Sequence, residues 1–133
     1  MKRNDIRTAR FENFTDFNAA STYIESLSYN VVIKASGLAA GKGVIIPTSK
    51  LEAIQAAKEM LSGSAFGEAG NEIVVEEFLH GEEVSVLAFC DGFSSVCMPG
   101  AQDHKRIFDG DEGPNTGGMG PNPPAPVWTP EYQ

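Results

Sequence analysis

The sequence predicts an α+β chain: an antiparallel sheet with two helices, followed by further strands. Three observations carry this. Two β-branched runs, Val31-Val32-Ile33 and Val44-Ile45-Ile46, flank a glycine-rich connection, as expected for strand, loop, strand. Two stretches place apolar residues at helical spacing, one before and one after that pair. A third short apolar run, Ile73-Val74-Val75, follows a turn-rich segment and reads as another strand.

In chain order, Thr8 to Phe11 has the length of a short strand, and Thr15 offers a helix N-cap. Phe17, Ala20, Ile24 and Leu27 then recur at spacings of three, four and three, one apolar helical stripe. Ser28, Tyr29 and Asn30 end it before the first β-branched run. After the second run Pro47 closes the strand. Ser49 with Glu52 has the form of a capping box, and Ile54, Ala57 and Leu61 lie on one helical face. Beyond Ile73-Val74-Val75 the chain enters Glu76-Glu77-Phe78-Leu79, with Gly81 as a hinge. Val84 to Cys90 is apolar on both alternating faces, which predicts a central strand, and Asp91-Gly92 is a hairpin turn into Phe93 to Met98. From Gly100 onward the texture is Gly, Pro, Asp and Asn, read as a long functional loop or a torn edge. The expected division is one α+β lobe over residues 1–79 and the incomplete start of a second over residues 80–133.

Composition narrows the function. With 133 residues, 41% hydrophobic and 21% charged, the chain has the make-up of a globular domain and the length of one compact domain, or a small lobe plus part of another. A formal charge of −8 argues against a general nucleic-acid surface, because phosphate backbones are held by clustered Lys and Arg. An acidic protein still binds anionic nucleotides where a few cations and backbone N–H groups converge. Cys90 and Cys97 lack CxxC spacing and neighbouring His ligands, so no metal site is expected and both thiols are read as small buried hydrophobes. No apolar run approaches a membrane span and the N-terminus is too polar for a secretory signal, so a cytoplasmic protein with no membrane partner is expected.

Three clusters carry chemistry. Lys34, Gly37, Gly41, Lys42 and Gly43 lie on the connection between the two β-branched runs. This is not a P-loop: three residues, not four, separate Gly37 from the Gly-Lys pair, no Ser or Thr follows, and the next element is a strand. Glycines nevertheless let backbone N–H groups approach phosphate oxygens, and Lys34 would aim a cation at them. The bland alternative is a hairpin with surface lysines, weakened by a connection longer than a plain hairpin needs. The second cluster, Glu76, Glu77, Phe78 and Leu79 with Glu83, suits a strand offering backbone groups to an adenine edge and a carboxylate to ribose hydroxyls, or else a solvated acidic edge. The third is Gln102-Asp103-His104-Lys105-Arg106 with Asn115-Thr116-Gly117-Gly118. It suits an anionic substrate, with His104 a possible acid or base, or is a polar turn. Asp109, Asp111 and Glu112 lack the periodicity of a calcium loop.

Taken together, the strings Val32-Ile33-Lys34, Gly37-Leu38-Ala39-Ala40-Gly41-Lys42-Gly43-Val44, Val75-Glu76-Glu77-Phe78-Leu79, Gly81-Glu82-Glu83, Gln102-Asp103-His104-Lys105-Arg106 and Gly113-Pro114-Asn115-Thr116-Gly117-Gly118-Met119-Gly120 closely resemble the glycinamide ribonucleotide synthetase family of ATP-grasp ligases, in order and over nearly the whole chain. The resemblance implies the ATP-grasp fold and an ATP-dependent carbon-nitrogen ligase of purine biosynthesis that joins glycine to phosphoribosylamine. By that likeness Lys34 would contact ATP phosphates, with residues 37–43 closing over them. Glu76, Glu77, Phe78 and Leu79 would supply mainly backbone contacts to adenine, and Glu83 would bind ribose. Asp103, His104, Lys105, Arg106, Asn115, Thr116, Gly117 and Gly118 would form substrate-side loops. No catalytic residue is assigned. Magnesium ligands in the family lie on a later Glu-x-Asn strand and an Arg-Phe-Gly-Asp-Pro-Glu motif, neither of which occurs here. The chain is therefore expected to be an inactive piece of its parent. The alternatives are another ATP-grasp ligase or carboxylase, or a nucleotide-binding module without chemistry.

Overall fold

The computed structural model describes residues 1–39, 43–63, 66–110, 112–129 and 131. The chain divides into two compact units, Met1–Leu79 and His80–Gln133.

The first unit is a four-stranded antiparallel sheet with two helices. Its strands are β1 (Phe11–Phe14), β2 (Val31–Ala35), β3 (Val44–Ile45) and β4 (Ile73–Glu77), in the spatial order β1-β4-β2-β3. Helix α1 spans Phe17–Ser26 and α2 spans Lys50–Leu61. Alternation along β2 and β4 sends Val31, Ile33, Ile73 and Val75 to one face, where they are buried against Ala20, Ile24, Ala53, Ala57 and Met60 from the helices. Full burial of side chains such as Ile33, Ile73 or Met60 stabilises the unit by about 1.5–3 kcal/mol each. The buried face of α2 consists of Ala53, Ala56, Ala57 and Met60; the predicted Ile54 and Leu61 flank it half-buried.

Local chemistry sets the helix ends. The first strand begins at Phe11, not Thr8, and the N-cap of α1 is Asp16, not Thr15: the Asp16 carboxylate accepts the Ala19 N–H at 2.9 Å. Ser49 caps α2, accepting from the Glu52 N–H at 3.2 Å. Glu52 reaches one residue further back than a capping box requires, to the N–H (2.7 Å) and hydroxyl (2.8 Å) of Thr48. Those bonds, the backbone one foremost, hold the Glu52 carboxyl below its ordinary range. Lys50 donates to the Glu25 carbonyl at 2.8 Å, placing a cation at the C-terminal end of α1.

The second unit contains two hairpins. In the first, β5 (Ala88–Cys90) pairs with β6 (Ser95–Cys97) through the predicted Asp91-Gly92 turn. The Asp91 carboxylate accepts the N–H groups of Phe93 at 2.8 Å and Ser94 at 2.7 Å, and Gly92 supplies a φ of 93°. In the second, β7 (Gln102–Phe108) pairs with β8 (Glu112–Asn122). A small knot forms where the Ala125 N–H donates to the Gly100 carbonyl at 2.8 Å and Trp128 stacks so near Gly100 that a Cβ there would lie 2.6 Å from the ring.

Three expectations are corrected in this unit. The Gly- and Pro-rich stretch after Gly100 is a β-hairpin rather than a loop, because ladder hydrogen bonds override low strand propensity. The strand expected over Val84 to Cys90 is shorter, and its described residues are mostly exposed: a run apolar on both faces says that cover is wanted, not that this unit supplies it. Cys90 and Cys97 are exposed free thiols, not buried ones. They share one face of the β5–β6 hairpin with Ala88 and Ser95. The other face aligns Phe89 opposite Val96, exposed 71% and 66%, with Leu87 and Met98 beside them.

Two outcomes follow. Gly70 is buried, and a Cβ there would sit 2.2 Å from the Met60 carbonyl oxygen, so Gly70→Ala is expected to lower stability by about 1–3 kcal/mol in urea unfolding followed by circular dichroism. The apolar hairpin face should drive self-association of the isolated chain; the double substitution Phe89→Ser, Val96→Thr should shift sedimentation toward monomer.

Candidate functional site

The helices cover one face of the first unit's sheet, and the strand register defines what stands on the other. Lys34 pairs with Val74 and Val44, and Glu76 with Val32 and Phe11. These residues, with Asn13 opposite Val74, therefore share the helix-free face. At its centre Lys34 and Glu76, diagonal neighbours on β2 and β4, form an ion pair. Both are partly shielded, with side chains 39% and 23% exposed. Half-buried Phe11 and Val74 and buried Val32 make an apolar setting around the pair.

The glycine-rich connection leaves this face from β2 and returns at β3. Its first turn is tied down. The N–H groups of Ser36 and Gly37 donate to the carbonyls of Glu72 (2.9 Å) and Ala69 (3.1 Å), and the Glu72 carboxylate accepts from the Ser36 hydroxyl and the Asn13 amide. A Cβ at Gly37 would lie 2.6 Å from the Ala69 Cα, and one at Gly43 2.6 Å from the Ala39 Cβ. Both glycines thus allow close packing of the connection's ends, and the Gly37 N–H is engaged by protein. Gly41 and Lys42 lie outside the described residues.

The acidic strand end is equally engaged. Glu77 projects opposite to Glu76 and takes a bidentate pair from Arg10, Nε at 2.9 Å and Nη2 at 2.8 Å, while its N–H donates to the Arg10 carbonyl at 2.8 Å. The Phe78 N–H donates to the Asn30 carbonyl at 2.9 Å, and Leu79 is exposed. Arg10 also lies 4.0 Å over the Tyr29 ring. The Arg10 guanidinium holds the Glu77 carboxyl down at about 2. Hydrogen bonding to Tyr29, aided by burial, pushes the Tyr23 phenol up to about 12. Sequence reasoning missed Arg10; its partner stands 67 residues away, and no local pattern marks the contact.

In the second unit Glu83 meets a substrate-side candidate, accepting from Lys105 Nζ at 2.7 Å. That hydrogen bond raises the Lys105 ammonium above its ordinary range. The residues expected to form loops lie in strands: Asp103, His104, Lys105 and Arg106 on β7, and Asn115, Thr116, Gly117 and Gly118 on β8. The register jumps between His104↔Gly120 and Arg106↔Asn115, so β8 bulges opposite Lys105. The Thr116 hydroxyl fastens that bulge, donating to the Lys105 carbonyl at 2.9 Å and accepting the Gly118 N–H at 3.0 Å. A Cβ on Gly118 would lie 3.3 Å from the Asp103 carboxylate, so Asp103, Lys105, Thr116 and Gly118 are brought together. His104 and Gly117 are exposed, and Arg106 reaches the Gly113 carbonyl only at 3.5 Å. Among the described residues no three His, Cys, Asp or Glu side chains converge as a metal site, and no helix is long and apolar enough to cross a membrane.

The fold is that of the ATP-grasp proteins. The phosphoribosylamine–glycine ligase of Thermotoga maritima superposes with a TM-score of 0.84 at 44% identity over 91% of this chain and 31% of its own, and D-alanyl-alanine synthetase A of Vibrio cholerae shares the fold at a TM-score of 0.57 and 14% identity. A family model described as phosphoribosylglycinamide synthetase, ATP-grasp (A) domain, matches residues 1–133, and the chain belongs to that family. A bifunctional purine biosynthetic protein of Pichia angusta is 60% identical over 98% of this chain, and the phosphoribosylamine–glycine ligase of Vibrio vulnificus 53% identical over 98%. The chain spans 16% of the first relative's length and 30% of the second's.

The Arg10–Glu77 pair sets an acid response. Glu77 carries a folded-state value of about 2 against an ordinary 4.5, so its contribution is present above the ordinary value and lost as pH falls from 4.5 toward 2. Arg10→Met should remove that component. The drop in thermal midpoint between pH 5 and pH 2.5 should then be smaller in the variant than in the native chain.

Proposed function

We propose that this chain is the ATP-binding part of a ligase that joins glycine to phosphoribosylamine in purine biosynthesis. The observation that carries it is Lys34, standing on the helix-free sheet face at the root of the glycine-rich connection, in a chain matched from end to end by the family model. The Met1–Leu79 unit serves as the small ATP-grasp lobe and residues 80–133 begin the large one. Lys34, paired with Glu76, and the connection with Gly37, Gly41, Lys42 and Gly43 receive the phosphates, the strand end at Glu77, Phe78 and Leu79 borders the adenine, and Glu83 is the candidate for ribose binding. Asp103, Lys105, Thr116 and Gly118 of the bulged hairpin are the candidates for substrate binding.

The chemistry explains why phosphate binding is needed. A carboxylate is a poor electrophile. Attack of a glycine carboxylate oxygen on the γ-phosphorus of ATP expels ADP and gives glycyl phosphate. The amine of phosphoribosylamine then attacks the acyl carbon, phosphate leaves, and the amide of glycinamide ribonucleotide remains. Cations must offset the charge gathered during phosphoryl transfer. Lys34 and, from the connection, Lys42 supply part of that charge. Magnesium would enter with the nucleotide and offset charge on its phosphates. Glycine, phosphoribosylamine and ATP are the small-molecule partners, and the cytoplasm is the compartment. Residues 1–133 correspond to 30% of the length of the Vibrio vulnificus ligase, and by themselves they are expected to bind nucleotide without turnover.

Titration of the ¹⁵N-labelled chain with ATP tests the site. Amide shifts should centre on Lys34, Val44, Glu76, Phe78 and Leu79, with an affinity on the order of millimolar, as fits one lobe gripping without its partner surface. Shifts confined to other residues would reject the assignment. With glycine, phosphoribosylamine and ATP supplied together, residues 1–133 by themselves should form no glycinamide ribonucleotide; turnover would contradict that expectation.

A further inference from the structure

We propose that Glu76 is a positioning residue: it holds the Lys34 ammonium over the helix-free sheet face and does not itself touch the nucleotide. This rests on the reading of that face as the ATP site, and it changes the role of an acid that the sequence alone placed against adenine.

The geometry supplies the reason. Lysine carries its charge on a flexible four-carbon stem, and an exposed lysine at a strand end sweeps a wide arc. Here the ammonium is caught by a carboxylate on β4, the strand flanked by β1 on one side and β2 on the other, whose backbone is laddered to both. Glu76 has little freedom of its own: it is paired in register with Phe11 and Val32, and its side chain is 23% exposed. Val32 and Val74 stand directly across from Glu76 and Lys34, so the diagonal pair lies among apolar neighbours. A carboxylate there costs something toward an incoming phosphate, since it is a like charge beside the cation. Its return is a cation fixed before the ligand arrives, with less freedom left to lose on binding.

Phosphate contact and nucleoside contact separate in a comparison of ATP with adenosine, read by NMR titration of the 133-residue chain, with the order of the Lys34 ε-methylene measured in parallel. Glu76→Gln keeps the shape and removes the charge; Glu76→Asp keeps the charge and shortens the reach. Both should lower the preference for ATP over adenosine by roughly fivefold, leave adenosine affinity unchanged and increase the mobility of the Lys34 ε-methylene. Lys34→Ala should cost roughly tenfold in ATP affinity. If either Glu76 variant keeps or raises the ATP preference, the positioning role is wrong. If adenosine affinity falls as far as ATP affinity, Glu76 touches the nucleoside and the role is again wrong. If the native chain binds neither ligand, or Lys34→Ala binds ATP as the native chain does, the ATP-site reading itself fails and the positioning role goes with it.

Discussion

The two-residue period of β4, held in register from both sides, is the constraint on which the first unit depends. Because β1 and β2 ladder onto opposite edges of this strand, it cannot slip by one residue without moving Ile73 and Val75 out of the core and Val74 and Glu76 into it. Two fully buried side chains would then be exchanged for a valine and a charge. One registration therefore fixes both the hydrophobic layer under the helices and the polar centre on the open face. The same strand leads into Phe78 and Leu79, so the path of the chain out of the unit is set by the core that precedes it.

Charge is organised on top of this frame. The chain is strongly acidic, yet three cations near the candidate sites each have a carboxylate: Lys34 with Glu76, Arg10 with Glu77, and Lys105 with Glu83. All are partly solvated, a setting in which ion pairs add little to stability. Their effect is orientation. Arg10 and Glu77 join segments at opposite ends of the first unit's sequence and, with the Phe78-to-Asn30 bond, pin the strand end from two sides. Acids that composition alone presents as a solvated edge are engaged in fixing cations, which reconciles a negative chain with the anion site proposed for it.

How far the sequence could be read depends on where each signal resides. The β-branched runs at Val31 and Val44, the helical stripe through Ala20 and Ile24, the Ser49 cap and the Asp91-Gly92 turn are local, and each is found where its pattern predicts. The Asp16 cap was missed by one residue because Thr15 and Asp16 are both competent and only backbone geometry chooses between them. Cys90 and Cys97 were misread because apolar neighbours signal a demand for burial, not its fulfilment within the described chain. Pairings between distant segments, such as Arg10 with Glu77, leave no periodic trace, and the order β1-β4-β2-β3 is the outcome of such pairings.

The β7–β8 hairpin shows how a composition can be right about backbone and wrong about pairing. Gly118 has a φ of 123°, a conformation that side chains disfavour, so the glycine-rich texture did announce an irregular backbone. What it could not announce was that the irregularity is a bulge between two paired stretches, bounded by His104↔Gly120 on one side and Arg106↔Asn115 on the other. A free loop of this composition would pay its ordering cost whenever it closed on a ligand. A bulge fastened by the Thr116 hydroxyl to the Lys105 carbonyl and the Gly118 N–H has met part of that cost in folding. Residues that a sequence reading assigns to flexible loops are thereby presented on a frame whose geometry is set before any ligand is met.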